Sequence, residues 1–492
     1  MRNLVMAIDQ GTTGSRAFIL DAQMNVLGIG YAEFPQHFPT PGWVEHNPDE
    51  IWESVRKVIP LALHKAGVGA DRIAAIGITN QRETVVAWDR HTGKAYHNAI
   101  VWQCRRTAEM CNVMKERGLE ETFQEKTGLL LDPYFSGTKL AWLLENVTAF
   151  AKAAEKGDAI VGTMDTYITW KLTGGRTHVT DVSNASRTLL MNLHDLEWDE
   201  ELLDILNIPA GVLPAIKSSS EVYGETQGMA ELPDGIPVAG MAGDQQAALF
   251  GQACFEPGMA KCTYGTGSFM LWNTGAKPVP SRNRLLTTVA WKLGDTVNYA
   301  LEGSCFISGA AVQWLRDGLQ IIQKSSEIEA LAAQVPDTGG VVFVPALVGL
   351  GAPHWNAAAK GVLWGLTRGT NRAHIARATL QAIALQNFDV LKAMEADAGS
   401  KLALMRVDGG ASANNLMMQF QADILGCDIS RPAMVETTAL GAALLAGLAV
   451  GLWPSKDEVT AKWREERRFK PQMSADHVHE HIRLWNEALG RV

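Results

Sequence analysis

The chain has 492 residues, 47% of them hydrophobic and 20% charged, which is the profile of a folded protein of roughly two or three domains rather than a disordered one. Its 44 basic and 53 acidic residues give a formal net charge of −9, which argues against a basic face for duplex nucleic acid. The six cysteines are scattered without a C-x-x-C pair and predict reduced thiols in the cytoplasm rather than a disulfide framework or a zinc site.

Two similar glycine-rich hairpins are predicted, well separated along the chain. Apolar runs at residues 4–8 and 17–20 predict strands around the turn DQGTTG, and residues 26–32 predict a third strand. Residues 259–264 and 269–273 predict strands around the turn GTGS in the same way. Hairpins are common, so the repeat is weak evidence by itself, but it favours two related domains.

Helices and strands alternate between and after these hairpins. Asn47 and Pro48 predict the start of a helix, with Pro60 as its kink or its end. The apolar run at residues 439–453 is rich in Ala and Gly and too short to cross a bilayer core of about 30 Å, so we expect a buried helix and no membrane span. Other predicted elements are strands at 73–78, 84–88 and 404–407 and helices at 371–394 and 414–425. This alternation predicts an α/β fold whose halves face each other across a cleft.

The common nucleotide-binding and hydrolase signatures are absent, since no P-loop, GxGxxG, GxSxG or HExxH string occurs. What remains is three glycine-rich tips, at residues 9–14, 265–268 and 408–410. Glycine lets backbone N–H groups approach phosphate oxygens closely, and neighbouring threonine hydroxyls add donors. A single tip is more often an ordinary turn. The three together favour phosphate binding, with Asp9 placed to hold Mg²⁺ through water.

Asp244, in the string GDQQ at the presumed crossing between the halves, is the sharpest single candidate for a catalytic residue. Transfer of a phosphoryl group to an alcohol needs an oriented hydroxyl and an acceptor for its proton, and a carboxylate can provide both. The alternative is that Asp244 only caps a helix that begins near Gln246.

Several longer strings resemble the FGGY carbohydrate kinases and, within that family, the members that phosphorylate glycerol. The strings YFSGTKLAWL at residues 134–143 and GVLWGLTRGTNRAHIARATLQ at 361–381 match the two family patterns. The shorter strings DQGTT, ITNQRET, VWQCRRT, AGDQQAALF, TYGTGS and VDGG match as well. The resemblance runs from Ala7 to about Trp453, and several motifs are too long to match by chance.

The resemblance implies an α/β fold of two ribonuclease H-like domains of the actin, Hsp70 and hexokinase type, residues 1–248 and 249–492, which flank a central cleft. It implies ATP-dependent phosphorylation of glycerol to sn-glycerol 3-phosphate in glycerol catabolism, with ATP and Mg²⁺ as cofactors. Asp9 and Asp244 are then expected at the metal, with Asp244 also the general base. A cytoplasmic homodimer or homotetramer is implied as well.

The family pattern also assigns the remaining site residues. A small triol needs charged hydrogen-bonding groups and apolar walls. The implied glycerol contacts are Arg82, Glu83, Trp102, Tyr134, Asp244, Gln245 and Phe269. The implied ATP and ADP contacts are Thr12, Thr13, Gly14, Arg16, Thr266, Gly309, Gln313, Gly410 and Asn414. Ordinary core packing is the alternative for the three aromatic residues, and a strand-face salt bridge competes with phosphate for Arg16.

One segment departs from the family. Some members bind fructose 1,6-bisphosphate through a glycine-rich basic loop before the aspartate motif, and others are phosphorylated on a histidine in that region. Here residues 227–235 read QGMAELPDG and contain no Lys, Arg or His. A bisphosphate needs cationic partners or a cluster of N–H groups. We therefore expect both controls to be absent or weak.

Three alternatives use the same motifs. A kinase for another small polyol or sugar would share the scaffold, although Trp102 would crowd a larger substrate. A nucleotide-driven interaction protein of the actin or Hsp70 type would share the phosphate tips. That protein would not need Arg82, Glu83 and Asp244 to converge on a small pocket. The third alternative is a polyol sensor without catalytic activity.

Overall fold

The structure is a computed structural model that describes residues 2–356 and 358–492. The strands, numbered β1 to β23 in chain order, are Leu4–Gln10, Gly14–Leu20, Val26–Glu33, Glu45–His46, Ile73–Asn80, Val85–Asp89, Ala99–Ile100, Ala159–Thr163, Val179–Asp181, Met191–Asn192, Glu197–Trp198, Ala215–Lys217, Ser220–Glu225, Pro237–Gly243, Ala260–Tyr264, Ser268–Gly275, Leu286–Leu293, Thr296–Cys305, Val342–Val344, Val362–Trp364, Leu404–Asp408, Asp428–Pro432 and Glu465–Phe469. The α-helices, numbered α1 to α16, are Pro48–Ala66, Ala108–Glu116, Glu120–Thr127, Ser136–Asn146, Thr148–Lys156, Met164–Leu172, Val182–Ala185, Glu200–Leu206, Asp244–Gly251, Gly309–Asp317, Ile328–Ala332, Arg372–Ala398, Asn415–Leu425, Thr437–Ala449, Lys456–Lys462 and Ala475–Leu489.

Two large sheets repeat one topology. The first has the strand order β13-β14-β5-β1-β2-β3 and the second β17-β18-β16-β15-β21-β22-β23. In the first sheet, β1 pairs antiparallel with β2 and parallel with β5, which pairs parallel with β14. In the second, β15 pairs antiparallel with β16 and parallel with β21, which pairs parallel with β22. The matching orders and directions confirm the predicted α/β fold with two related halves, and both predicted hairpins are present.

Helix α1 shows where local propensity misleads. It begins after Asn47, whose side chain caps it, as the sequence predicts. Of the two expectations for Pro60, the end of the helix is wrong, because α1 continues to Ala66, and the kink stays a prediction. Pro60 lies on the exposed face, whereas Ile59 and Ala62 are buried in a core cluster that includes residues of β1. Packing of this apolar face outweighs the backbone hydrogen bond that proline removes.

Helices α9 and α14 lie between the two sheets. A Cβ atom added to Gly441 of α14 would lie 1.8 Å from the carbonyl oxygen of Ala247 in α9. A Cβ atom on Gly77 of β5 would lie 2.0 Å from the carbonyl oxygen of Ala442. The core cluster around both helices contains apolar residues of both sheets. The predicted buried helix at 439–453 is therefore α14, and it joins the two halves.

Two expectations concern the chain as a whole. Among the residues that the structure describes, no helix is both long enough and apolar enough to cross a membrane. The boundary expected between the two domains, residues 1–248 and 249–492, falls inside α9 and stays a prediction. All six cysteines are buried and free.

Candidate active site

Three parallel strands of the first sheet end side by side, and the candidate catalytic residues follow those ends. The last residues of β1 and β14 both pair with Asn80, the last residue of β5. Asp9 is the penultimate residue of β1, Arg82 follows β5, and Asp244 is the first residue of α9, directly after β14. Ligands of α/β sheets bind at the carboxyl ends of the strands. The topology therefore gathers these three side chains at one edge of the cleft.

Asp244 is partly accessible to solvent, with 34% of its side chain exposed. The Nε atom of Arg82 lies 3.1 Å from its Oδ1 atom, and the backbone N–H of Gln245 donates to the same oxygen at 2.7 Å. Gly243, not Asp244, occupies the N-cap of α9, so helix capping does not account for this carboxylate. Desolvation by the surrounding protein raises the pKa of Asp244 against the opposing charge of Arg82. A raised pKa makes a carboxylate a better proton acceptor.

Asp9 shares this site with Asp244. Burial raises the pKa of Asp9 to about 7, against the positive charge of Arg16 and with the added negative charges of Asp244 and Glu436. Repulsion from a second carboxylate raises a pKa only when the two groups are close. Among the residues described, no three His, Cys, Asp or Glu side chains are grouped so as to hold a metal ion. Asp9 and Asp244 are therefore the two carboxylates that could bind a metal ion at this edge of the sheet.

A buried ionic cluster, which the sequence did not predict, lies beneath the cleft. Glu302 of β18 accepts hydrogen bonds from Nη1 and Nη2 of Arg82 at 2.6 and 2.9 Å. Arg187 donates from Nε to Glu83 at 2.7 Å and from Nη2 to Glu302 at 3.0 Å. Although burial alone would raise it, the guanidinium groups of Arg187 and Arg82 lower the pKa of Glu302 to about 2. All four side chains are 2% exposed or less. Glu302 and Arg187 therefore fix the positions of Arg82 and Glu83, which are both expected to contact glycerol.

Trp102 and Tyr134 form one wall of the cleft. Their rings meet edge to face, with centroids 5.7 Å apart. The indole N–H of Trp102 donates to the hydroxyl of Thr12 at 3.0 Å, and the Tyr134 hydroxyl lies 3.5 Å from Nη2 of Arg82. These contacts connect the aromatic wall to the first glycine tip on one side and to the ionic cluster on the other, which ordinary core packing would not require.

Lys261 of β15 is a second buried charge that the sequence did not predict. Its ammonium donates to Oε1 of Gln245 at 2.5 Å, to the hydroxyl of Thr263 at 2.8 Å and to the carbonyl of Phe269 at 3.4 Å. Burial lowers the pKa of Lys261. Gln245 and Phe269, both expected to contact glycerol, are therefore tied together by one amine at the base of the second hairpin.

The second and third glycine tips lie side by side. The N–H of Gly309 donates to the carbonyl of Gly265 at 2.9 Å, and a Cβ atom at Gly309 would lie 2.6 Å from that oxygen. Gly409 has a φ of 84°, and a Cβ atom there would lie 2.5 Å from the carbonyl oxygen of Tyr264. Only glycine permits this approach of β15, α10 and the loop after β21.

The remaining expected nucleotide contacts differ in their surroundings. Arg16 is 44% exposed and pairs with Glu436 at 3.2 Å, which is the salt bridge that competes with phosphate. The side chain of Asn414 caps α13 by accepting from the backbone N–H of Met417 at 2.9 Å. Exposed to solvent are Thr13, Thr266 and Gln313, whereas Gly14 is buried in β2 and Gly410 opens a short 3-10 helix.

Two family models match the chain. The model described as FGGY family of carbohydrate kinases, N-terminal domain, matches residues 4–251, and the model of the C-terminal domain matches residues 260–450. The chain belongs to the FGGY family of carbohydrate kinases. The family inferred from the sequence motifs is thereby confirmed, and with it the two-domain fold.

Relatives resemble this FGGY protein over its full length. The glycerol kinase of Carboxydothermus hydrogenoformans is 57% identical over 490 residues, which cover 100% of this chain and 98% of that protein. The glycerol kinase of Myxococcus xanthus is 58% identical over 489 residues, 99% of each chain. The crystal structure of Plasmodium falciparum glycerol kinase with ADP has a TM-score of 0.93 at 38% identity and covers 100% of this chain and 98% of that one. A xylulose kinase from Lactobacillus acidophilus, at 22% identity and a TM-score of 0.88 over 99% and 97% of the two chains, shares the fold.

Proposed function

We propose that the protein transfers the γ-phosphoryl group of ATP to a terminal hydroxyl of glycerol and releases sn-glycerol 3-phosphate and ADP. The observation that carries the proposal is the position of Asp244, a carboxylate open to the cleft and 3.1 Å from Arg82. The choice of glycerol rests on full-length relatives named glycerol kinase at 57 and 58% identity.

The reaction needs a hydroxyl, a proton acceptor and a phosphate cradle within one closed space. Arg82 and Glu83 offer a charged donor and acceptor to the glycerol hydroxyls, and the edge of Trp102 limits the length of the substrate. The hydroxyl oxygen forms a bond to the γ-phosphorus while its proton passes to Asp244. The bond from the γ-phosphorus to the bridging oxygen breaks, and its electron pair leaves with ADP.

Magnesium fits the carboxylates at this edge. Burial and the charges of Asp244 and Glu436 raise the pKa of Asp9 to about 7, against the opposing charge of Arg16, and a bound cation would favour the ionised carboxylate. Carboxylate oxygens are the hard ligands that Mg²⁺ takes, commonly one or two together with water and phosphate oxygens. Asp9 and Asp244 would hold the ion, which would neutralise phosphate charge when bound. The residues themselves orient the hydroxyl and accept its proton.

The cleft between the halves serves a second purpose. Water is a hydroxyl nucleophile that competes with glycerol for the phosphoryl group. Because the predicted glycerol contacts come from both halves, closure of the cleft around both substrates would bring these contacts together. The same closure would exclude water.

The direct test is Asp244→Asn, assayed by glycerol-dependent release of ADP. Asparagine keeps the shape of the side chain but cannot accept the proton, so we expect kcat to fall at least about 100-fold while the protein still binds ATP. Full activity in the variant would refute the role of Asp244. ATP hydrolysis that does not respond to glycerol, in the wild type, would instead favour an interaction protein of the actin or Hsp70 type.

Another small polyol or sugar remains the second candidate substrate. Trp102, whose ring meets that of Tyr134 edge to face, would crowd a larger substrate and so favours a three-carbon one. A panel of polyols and ketoses assayed for ADP release should give the highest kcat/KM with glycerol. A pentose or pentitol that exceeds glycerol would replace it in the proposal.

A further inference from the structure

The ionic cluster beneath the cleft joins the two halves through a single carboxylate. Arg82 and Glu83 follow β5 of the first sheet, whereas Glu302 lies on β18 of the second. Glu302 and Arg82 are 220 residues apart in sequence, and the carboxylate engages both terminal guanidinium nitrogens. The inference below concerns this contact and rests on the proposed function.

We propose that Glu302 is a positioning residue that fixes Arg82 for the binding of glycerol. Two parallel hydrogen bonds to one carboxylate fix the plane of a guanidinium as well as its position. With Nη1 and Nη2 held by Glu302, the Nε atom of Arg82 is left facing Asp244 at 3.1 Å. Glu302 thereby sets the spacing between the substrate-binding arginine and the proton acceptor.

The contacts of Arg82 also indicate where glycerol attaches. Its bonds to Glu302 are 2.6 and 2.9 Å long and its bond to Gln246 is 3.2 Å, whereas the contact with the Tyr134 hydroxyl is 3.5 Å. The long contact is the weakest of the four. The Nη2 hydrogen that faces Tyr134 is therefore the donor that a glycerol hydroxyl can take, and Glu302 keeps this nitrogen in place.

Arg187 extends the same support to Glu83. It bridges Glu83 and Glu302 with bonds of 2.7 and 3.0 Å, so both substrate residues are anchored to one buried carboxylate. Stability alone is a poor explanation for such a cluster, because desolvation offsets most of the attraction in buried ion pairs. Fixed orientation of two polar groups at a small substrate is what the cluster provides.

The test is Glu302→Gln, compared with Glu302→Asp, in the full-length protein. Glutamine keeps the size of the side chain but loses the charge and one acceptor, so we expect the KM for glycerol to rise about tenfold or more. The KM for ATP should stay within about twofold of the wild type, because Glu302 contacts no predicted nucleotide residue. Glu302→Asp keeps the charge and should recover part of the loss in glycerol affinity.

A matched control is Asp165→Asn, which removes an equally buried carboxylate whose side-chain partners, among the residues that the structure describes, are Thr163 and Thr180. A purely structural role for Glu302 would lower the melting temperature of Glu302→Gln and leave its KM values for glycerol and ATP near those of the wild type, as we expect for the KM values of Asp165→Asn. That result, or an equal rise in the KM for ATP and glycerol, would overturn the inference. If Glu302→Gln does not fold, Glu302→Asp and Arg187→Lys carry the same comparison. Wild-type protein without glycerol-dependent turnover would refute the proposed function instead.

Discussion

Buried ionisable side chains in this protein fall into two kinds. The arginines and carboxylates beneath the cleft compensate one another, whereas Asp165, in the first turn of α6, has no cationic partner within hydrogen-bond distance among the described residues. The hydroxyls of Thr163 and Thr180 donate to its carboxylate at 2.5 and 2.6 Å. Burial nevertheless raises the pKa of Asp165 to about 7. The protonation of this residue therefore links stability to pH.

We predict that Asp165→Asn weakens the pH dependence of stability. Native Asp165 keeps its proton up to about pH 7, whereas an unperturbed aspartate loses it near 3.8. Unfolding therefore releases a proton between these values, and stability falls as the pH rises through this range. The asparagine variant lacks this component, which amounts to at most about 3 kcal/mol between about pH 5 and pH 7. Thermal unfolding at about pH 5 and pH 8 measures the difference.

Asp295→Asn is the control for that experiment, because Asp295 is exposed in the turn between β17 and β18. Its melting temperature should change with pH as that of the wild type does. If Asp165→Asn follows the same pH dependence as well, the carboxyl of Asp165 does not hold its proton in the native state.

Single residues show what the sequence could reveal about the site. Asp244 stands out in the sequence because a carboxylate lies at the presumed crossing between the halves. Glu302 and Arg187 were missed because their partners are distant in sequence, and Lys261 was missed although its partners are near. A signal does exist, since Glu302 and Lys261 are each the one charged residue of their strands. A buried charge needs a partner, but the sequence does not identify the partner.

At the scale of elements, the contact between α9 and α14 controls the position of Asp244. Gly441 and Ala247 bring the two helix backbones together without an intervening side chain, since a Cβ at Gly441 would lie 1.8 Å from a backbone oxygen. A Cβ atom added to Gly251 of α9 would lie 2.0 Å from the carbonyl oxygen of Thr437 in α14. Any side chain here must push the helices apart and move the first turn of α9.

We predict that Gly441→Ala lowers both stability and activity. The added methyl has no space, and overpacking of this kind costs about 3 kcal/mol. Because α9 carries Asp244 at its first position, kcat should fall further than the loss of folded protein explains. Thermal unfolding and glycerol-dependent ADP release, measured on the same samples, separate the two effects.

Gly211→Ala is the matched control, because a Cβ there would meet no atom within 4 Å. It should leave both measurements close to the wild type. A Gly441→Ala protein with wild-type stability would show that α9 and α14 do not pack as closely as their backbones indicate.

The elements predicted from local patterns are present, and the exception at Pro60 has a tertiary cause. The two hairpins and the helices α12 and α13 could be predicted because turn residues and apolar periodicity agree there. The continuation of α1 past Pro60 could not be predicted, because the end of this helix depends on burial against β1 rather than on the proline itself. Local signals define where a helix can stop, and packing decides whether it does.

At the scale of the whole molecule, the repeat of two sheets determines where the site lies. The sequence suggested two related halves from two hairpins, but it could not give the strand orders that place three parallel strand ends together. Contacts such as that between Arg82 and Glu302 arise only when the halves face each other. The homodimer or homotetramer expected from the family stays a prediction.

The segment at residues 227–235 is where the family resemblance places a bisphosphate site, and we expect none here. Its carboxylates are already engaged, since Glu231 pairs with Arg56 at 2.6 Å and Asp234 accepts from the backbone N–H of Gly228 at 2.7 Å. A bisphosphate, with about three to four negative charges near pH 7, would meet two negative charges here and would have to displace Arg56 from its partner. Such like-charge contacts disfavour binding and association at this surface.

We predict that fructose 1,6-bisphosphate at millimolar concentration changes neither the velocity of the reaction nor the sedimentation coefficient. The segment supplies no cation of its own, and Arg56, which pairs with Glu231, is needed to balance that acid. ADP at the same concentration should inhibit and so show that the assay detects an anionic ligand. Fructose 6-phosphate controls for effects of a single phosphate. A fall in velocity or a larger assembly with the bisphosphate alone would contradict the prediction that this control is absent or weak.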